Sequence, residues 1–254
     1  MMLHHQIQGQ GSPLIILHGL LGSSDNWRSI AAQLSQDRQV ISVDLANHGQ
    51  SPHTDKVSYH AMANDVANLI QILGLKKVDM LGHSIGGKVA MTVTAIYPDQ
   101  IKSLIVVDIA PKRYPDRHGD IFDALLSIDI STITKRSEAD VTLAKSISNK
   151  AVRQFLLKNL TKTNEQLKWQ LNLTLLAREY PALLEAVCEG IRIKQPSLFI
   201  RGALSDYIED GDVRLIKQQF LSVDIVTIEK AEHWIHAERP DEFLSTVRVF
   251  LNHD

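Results

Sequence analysis

Lys77-Val78-Asp79-Met80-Leu81-Gly82-His83-Ser84-Ile85-Gly86-Gly87-Lys88 is the stretch whose reading decides the fold. Its first five residues form a short apolar run of strand type, and residues 87–97 read as a helix that Pro98 stops. Between them lies Gly82-His83-Ser84-Ile85-Gly86, a G-x-S-x-G sequence at a strand-to-helix turn. A turn this sharp admits only glycine two places before the serine and two places after it. It lifts the serine hydroxyl clear of the sheet. It also aims the helix N-terminus, with its unpaired N–H groups and positive dipole end, at any oxyanion formed there. The expectation is a nucleophilic serine on an α/β scaffold.

Outward from that turn the same rhythm repeats. Residues 3–8 are a weak strand, and residues 13–18 are apolar throughout, as a strand of a buried parallel sheet is. A helix over 25–36 follows, with Asp25 as its cap and Trp27, Ile30, Ala31 and Leu34 on one face. Residues 39–44 are a strand, 59–73 a helix closed by Gly74, and 102–109 another strand. From 112 to about 190 there is no convincing buried strand, but there are amphipathic helices over 120–128, 137–148 and 150–160. Residues 168–173 alternate and read as a short strand before another helix. The β/α rhythm returns with strands at 196–202 and 223–228 and helices at 211–220 and 240–251.

This pattern predicts an α/β fold: a mostly parallel sheet of about seven strands, with helices on both faces. The core comprises residues 1–110 and 191–254. Residues 111–190 form a helical cap inserted between strands six and seven, over the strand ends where open parallel sheets bind ligands.

Composition narrows the functional classes. The chain has 254 residues, 44% hydrophobic and 22% charged, values ordinary for a soluble enzyme. A net charge of −2 gives no reason to expect nucleic acid or an anionic membrane as partner. Cys188 is the single cysteine, which excludes an internal disulfide framework and suits a reducing compartment. No Cys or His–Glu spacing suggests a metal site. The N-terminal residues lack the pattern of a signal peptide, and no apolar run reaches the length of a membrane span. A soluble cytoplasmic protein acting on a small molecule is expected.

A hydrolytic serine needs a base, an acid that orients the base, and two N–H donors for the oxyanion. On an α/β scaffold they follow in the order Ser, acid, His. His233 is the first histidine after the last strand, with His236 as competitor. Two strand ends offer the acid. Asp206 follows Gly202-Ala203-Leu204-Ser205, where Ser205 holds the place an aspartate often takes. Asp108 ends an apolar run, where a buried carboxylate is costly unless paired, and this favours Asp108 as the partner of His233. Ser205 then supplies a hydroxyl to the same pair. The oxyanion donors are the backbone N–H groups of Ile85 and of Leu20, in the loop His18-Gly19-Leu20-Leu21-Gly22. His18, His83, His48 and Asn47 read as loop braces, and Lys88 as a structural contact on the helix flank. Trp169 and Tyr207 are candidates for the pocket lining.

With these residues in place, the chain resembles the α/β-hydrolases over essentially its whole length. More narrowly it resembles small bacterial esterases of the YbfF type. The resemblance rests on His18-Gly19-Leu20-Leu21-Gly22-Ser23, Asn47-His48-Gly49-Gln50-Ser51-Pro52 and the Gly82–Lys88 elbow. Asp108-Ile109-Ala110-Pro111 together with Ser205 is its more specific mark, and Glu232 departs from the glycine most relatives carry before the histidine. The resemblance implies hydrolysis of carboxylic esters or acyl thioesters, with no metal or organic cofactor. Two alternatives stand beside it: a synthase of the menaquinone-pathway type on the same fold, and a binding protein that keeps the scaffold without turnover.

Overall fold

The computed structural model describes residues 1–163 and 166–252. Along the chain, β1 (His5–Gln8), β2 (Pro13–Leu17), α1 (Arg28–Leu34), β3 (Gln39–Val43), α2 (Tyr59–Ile72), β4 (Val78–His83), α3 (Ile85–Ile96) and β5 (Ile101–Val107) alternate. An inserted block follows: α4 (Gly119–Leu126), α5 (Arg136–Leu143), α6 (Lys150–Leu157), β6 (Leu160–Thr163), β7 (Gln166–Trp169) and α7 (Leu173–Leu184). The chain ends with β8 (Ser197–Gly202), α8 (Asp210–Gln219), β9 (Val223–Ile228), α9 (Ile235–Glu238) and α10 (Pro240–Leu251). The seven-stranded sheet has the order β1-β3-β2-β4-β5-β8-β9 and is parallel except for the edge strand β1.

The two-residue period of the strands divides the core between the faces of the sheet. Ile15, Leu17, Met80, Leu104 and Val106 pack with α2 and α3, whereas Leu14, Ile16, Leu81, Ile105 and Val107 pack with α1 and α10. β4 lies at the centre and is buried at every position. Its one acid, Asp79, is satisfied by Arg38 Nη1 at 2.6 Å and Ser103 Oγ at 2.7 Å, while Arg38 Nη2 donates to Leu251 O at 2.6 Å. This buried cluster ties the elbow strand to the last turn of α10.

The inserted block lies over the C-terminal ends of the strands. Asn159 Nδ2 donates to Leu21 O at 2.7 Å, and Asn172 N donates to Asn47 O at 2.9 Å, reaching the loops after β2 and β3. Among the described residues no helix is long and apolar enough to cross a membrane.

Four expectations need correction. Counted along this chain, the block leaves after the fifth strand of the sheet rather than the sixth, because a single N-terminal edge strand, β1, precedes the parallel set. The block also contains an antiparallel pair, β6–β7, where one strand over 168–173 is expected: the second strand is Gln166–Trp169 and Leu173 already opens α7, while Leu160 is fully buried in a first strand of four residues. β5 stops at Val107 because Asp108 turns into the left-handed region at φ 50. Asp25 does not cap α1: a 3₁₀ turn begins at Ser24, Asn26 Oδ1 takes the N–H of Ser23 at 2.7 Å, and Asp25 pairs with Arg28.

Candidate active site

Ser84 sits at the tip of β4 with φ 54 and ψ −124, a conformation that costs a non-glycine residue free energy. The surroundings impose it. Ser84 N donates to Val107 O at 3.0 Å, and the N–H groups of Gly87 and Lys88 return to Ser84 O at 2.8 and 3.2 Å. A Cβ on Gly82 would lie 2.2 Å from Gly86 O, and one on Gly86 would lie 2.4 Å from His18 O. Both obstacles are backbone and cannot yield as a side chain can. Gly82→Ala is therefore expected to destabilise the protein by ~3 kcal/mol or more, read as a lower midpoint in urea unfolding.

Asp108 follows β5 and has no exposed surface. Its carboxylate is met from three directions. His233 Nδ1 donates to Oδ2 at 2.8 Å, Ser205 Oγ donates to the same oxygen, and Gly202 N donates to Oδ1 at 3.2 Å. Burial pushes the Asp108 carboxyl above its ordinary range, and the Ser205 and Gly202 donors pull it back. Burial also holds the His233 imidazole below its ordinary range, which keeps it in the neutral form a base requires.

The loop carrying His233 is fixed from several sides. His83 Nε2 donates to His233 O at 2.9 Å, and the Tyr207 ring stacks on the imidazole at 3.8 Å and 15°. Glu238 accepts the N–H of Glu232 at 2.6 Å and of Trp234 at 3.2 Å. These bonds hold the loop backbone on both sides of His233. His236 is not the partner of Asp108: it lies buried in α9, stacked on Trp27 at 4.0 Å. Asp206 points away and pairs with Arg117 at 2.5 Å.

Ser84 and His233 border one pocket of about 210 Å³, without a hydrogen bond between them. Such contacts are often long in a free enzyme and tighten when substrate arrives. Among the described residues, no protein acceptor takes the backbone N–H of Leu20 or of Ile85, so both remain available beside Ser84. The pocket walls are apolar and come from Leu21, Trp27, Phe155, Leu156 and Trp234. Tyr207 borders it too. Trp169 does not: it ends β7, opposite Leu160, and packs half-buried against the core of the inserted block.

The buried polar residues of the elbow region are braces. His18 Nε2 accepts the N–H of Leu45 at 3.0 Å, so its Nδ1 carries the proton it donates to Gly19 O at 2.8 Å. His48 Nδ1 pairs with Ala46 O, and the Asn47 side chain exchanges hydrogen bonds with Thr54. Lys88 is buried one turn beyond Ser84, and burial lowers its ammonium to about 7 against the opposing charge of Glu185.

Three contributors escaped the sequence reading. Phe155 and Trp234 were detectable in part, one on the apolar face of an amphipathic helix and the other next to His233. Glu238 had no local signal, because its role depends on the backbone of a loop six residues earlier.

This geometry, a pocket-lining serine at a strand–helix elbow with a buried acid–histidine pair and two free N–H donors, is that of an α/β-hydrolase. The profile of the α/β hydrolase fold family matches residues 12–131. The chain is 38% identical over 240 residues to a putative esterase/lipase of Haemophilus influenzae, covering 94% of this chain and 83% of that protein. It is 35% identical over 249 residues to esterase YbfF of Escherichia coli, covering 97% and 96%. A solved structure described as a marine microorganism esterase superposes with a TM-score of 0.95 at 41% identity, covering 98% of this chain and 99% of that one. The chain belongs to the α/β-hydrolase family.

Proposed function

We propose that this protein is a serine esterase that hydrolyses carboxylic esters through an acyl-enzyme on Ser84. The observation that supports this reading most is the buried Asp108–His233 pair at 2.8 Å, bordering the same pocket as Ser84. His233 Nε2 takes the proton of Ser84 Oγ as the oxygen attacks the ester carbonyl. The oxyanion is received by the N–H groups of Leu20 and Ile85. The tetrahedral adduct collapses, the C–O bond to the alcohol breaks, and His233 returns the proton to the departing oxygen. Water, deprotonated by the same imidazole, then attacks the acyl-serine and releases the acid. Acyl thioesters follow the same steps with a thiol as leaving group.

The esterases among the similar proteins support the substrate class, and no step draws on a metal or organic cofactor. Residues 111–190 act in this reading as a cap over the pocket, and Cys188, as the one cysteine, suits a cytoplasmic enzyme. Release of p-nitrophenol from p-nitrophenyl esters, run beside a set of acyl-CoAs, tests the reading. Turnover of esters is expected. Failure of the folded protein on every ester and thioester would contradict it.

Ser205 supports the pair in this mechanism. Its hydroxyl stabilises the ionised form of Asp108, so removing it raises the pKa of that carboxyl further. Activity needs Asp108 ionised, so Ser205→Ala is expected to move the acid limb of the pH–rate profile upward. It should also lower kcat by ~10- to 100-fold, the worth of one hydrogen bond to a charged group.

A further inference from the structure

A second, smaller cavity of about 30 Å³ also borders Ser84, between α3 and the C-terminal half of α7. Ser84, Leu20, His118 and Tyr207 border both spaces, but His233 borders only the larger one. In ester hydrolysis the leaving oxygen must lie within reach of His233, which protonates it. The alcohol or thiol portion therefore belongs in the larger pocket, and the small cavity is left for the acyl chain.

The end of α7 is tied down beside this cavity. Lys88 Nζ donates to Glu185 O at 2.6 Å and to Leu184 O at 3.4 Å, and Tyr59 OH donates to Leu183 O at 2.6 Å. These three successive carbonyls belong to the helix end that lacks partners of its own, and a cation suits that end of the dipole. Lys88 is 1% exposed, forms no carboxylate pair among the described residues, and lies 5.5 and 5.0 Å from the Tyr59 and Tyr114 ring centres. Its charge thus faces the α7 terminus, two ring faces and, beyond hydrogen-bonding range, the carboxylate of Glu185. The other end of α7 is held at Asn172 by Asn47 O. With both ends fixed, the helix closes the cavity over Leu183 and Leu184.

We propose that Lys88 is a positioning residue that sets the acyl-length limit of the site, holding α7 so that the space beside Ser84 admits a short acyl group and rejects a long one. This rests on the ester-hydrolase reading. At about 30 Å³ beside the about 210 Å³ of the larger pocket, this space suits an acyl group of few carbons.

The test is kcat/KM on p-nitrophenyl acetate, butyrate, hexanoate and octanoate, which share one leaving group. For the unaltered protein, values are expected to fall by ~10-fold or more from butyrate to octanoate, since each methylene without room costs at least that order. Lys88→Met keeps the length of the side chain, removes the donor and loosens the end of α7, which keeps the bonds from Tyr59 OH to Leu183 O and from Tyr114 N to Leu184 O; the octanoate-to-acetate ratio should rise by ~10-fold or more. Leu183→Ala widens the same cavity without touching Lys88 and should raise the ratio too, which decides the matter if Lys88→Met does not fold. The proposal is overturned if the unaltered protein turns over octanoate as well as acetate, or if the substitutions lower all four esters by one common factor. Absence of turnover on every ester would instead remove the esterase reading itself.

Discussion

Replacing Ser84 with alanine is expected to lower kcat for ester hydrolysis by ~10⁴- to 10⁶-fold while leaving the fold intact. The size of the loss follows from what the hydroxyl does. Without it there is no acyl-enzyme, and the oxyanion donors and the pocket can only assist a direct attack by water. The fold should survive because alanine keeps the Cβ that Ser84 already carries at φ 54, so the strain at the elbow is unchanged. Ser84 Oγ also holds up no part of the core: the backbone of Ser84, through Val107, Gly87 and Lys88, makes the structural contacts. Thermal unfolding of the two proteins should coincide within a few degrees. A variant that keeps substantial turnover would place the nucleophile elsewhere.

The second large effect separates two neighbouring acids. Asp108→Asn is expected to reduce kcat by ~10⁴-fold, as loss of the orienting carboxylate does in this chemistry. The amide is close in shape but cannot accept the Nδ1 proton on the same terms, so the imidazole is presented in the wrong tautomer. Asp206→Asn should change kcat by about fivefold or less, because that carboxylate is mostly exposed and serves a surface ion pair with Arg117. Steady-state kinetics on the two variants side by side gives the comparison. A large loss for Asp206→Asn with little for Asp108→Asn would reverse the assignment.

What could be read from the chain depended on how local its cause was. The elbow was legible because its constraints are local: the approach of Gly82 to Gly86 and the turn into α3 are set within a few residues. Asp108 was legible for a global reason with a local sign, a carboxylate at the end of an apolar run. The structure answers it with His233, Ser205 and Gly202, drawn from two later strand ends. The helical segments of the inserted block were visible from their periodicity, but not which faces meet the pocket. That is why Trp169 was placed in the lining when Phe155 and Trp234 supply it. The strand β6 was missed because four residues, Leu160-Thr161-Lys162-Thr163, carry too short a pattern to stand apart from the end of α6. The brace at Glu238 and the seat that Lys88 provides for α7 bind backbone groups, which leave no mark in the side-chain pattern.

The central claim, a nucleophilic serine activated by this constellation, is tested most directly by labelling with a fluorophosphonate and locating the adduct by mass spectrometry. Capture requires the attacking hydroxyl, the base and the oxyanion donors together, and it does not depend on knowing the natural ester. The account predicts a single stoichiometric adduct on Ser84, absent from Ser84→Ala and strongly slowed in Asp108→Asn. An unlabelled native protein, or an adduct on any residue other than Ser84, would contradict it.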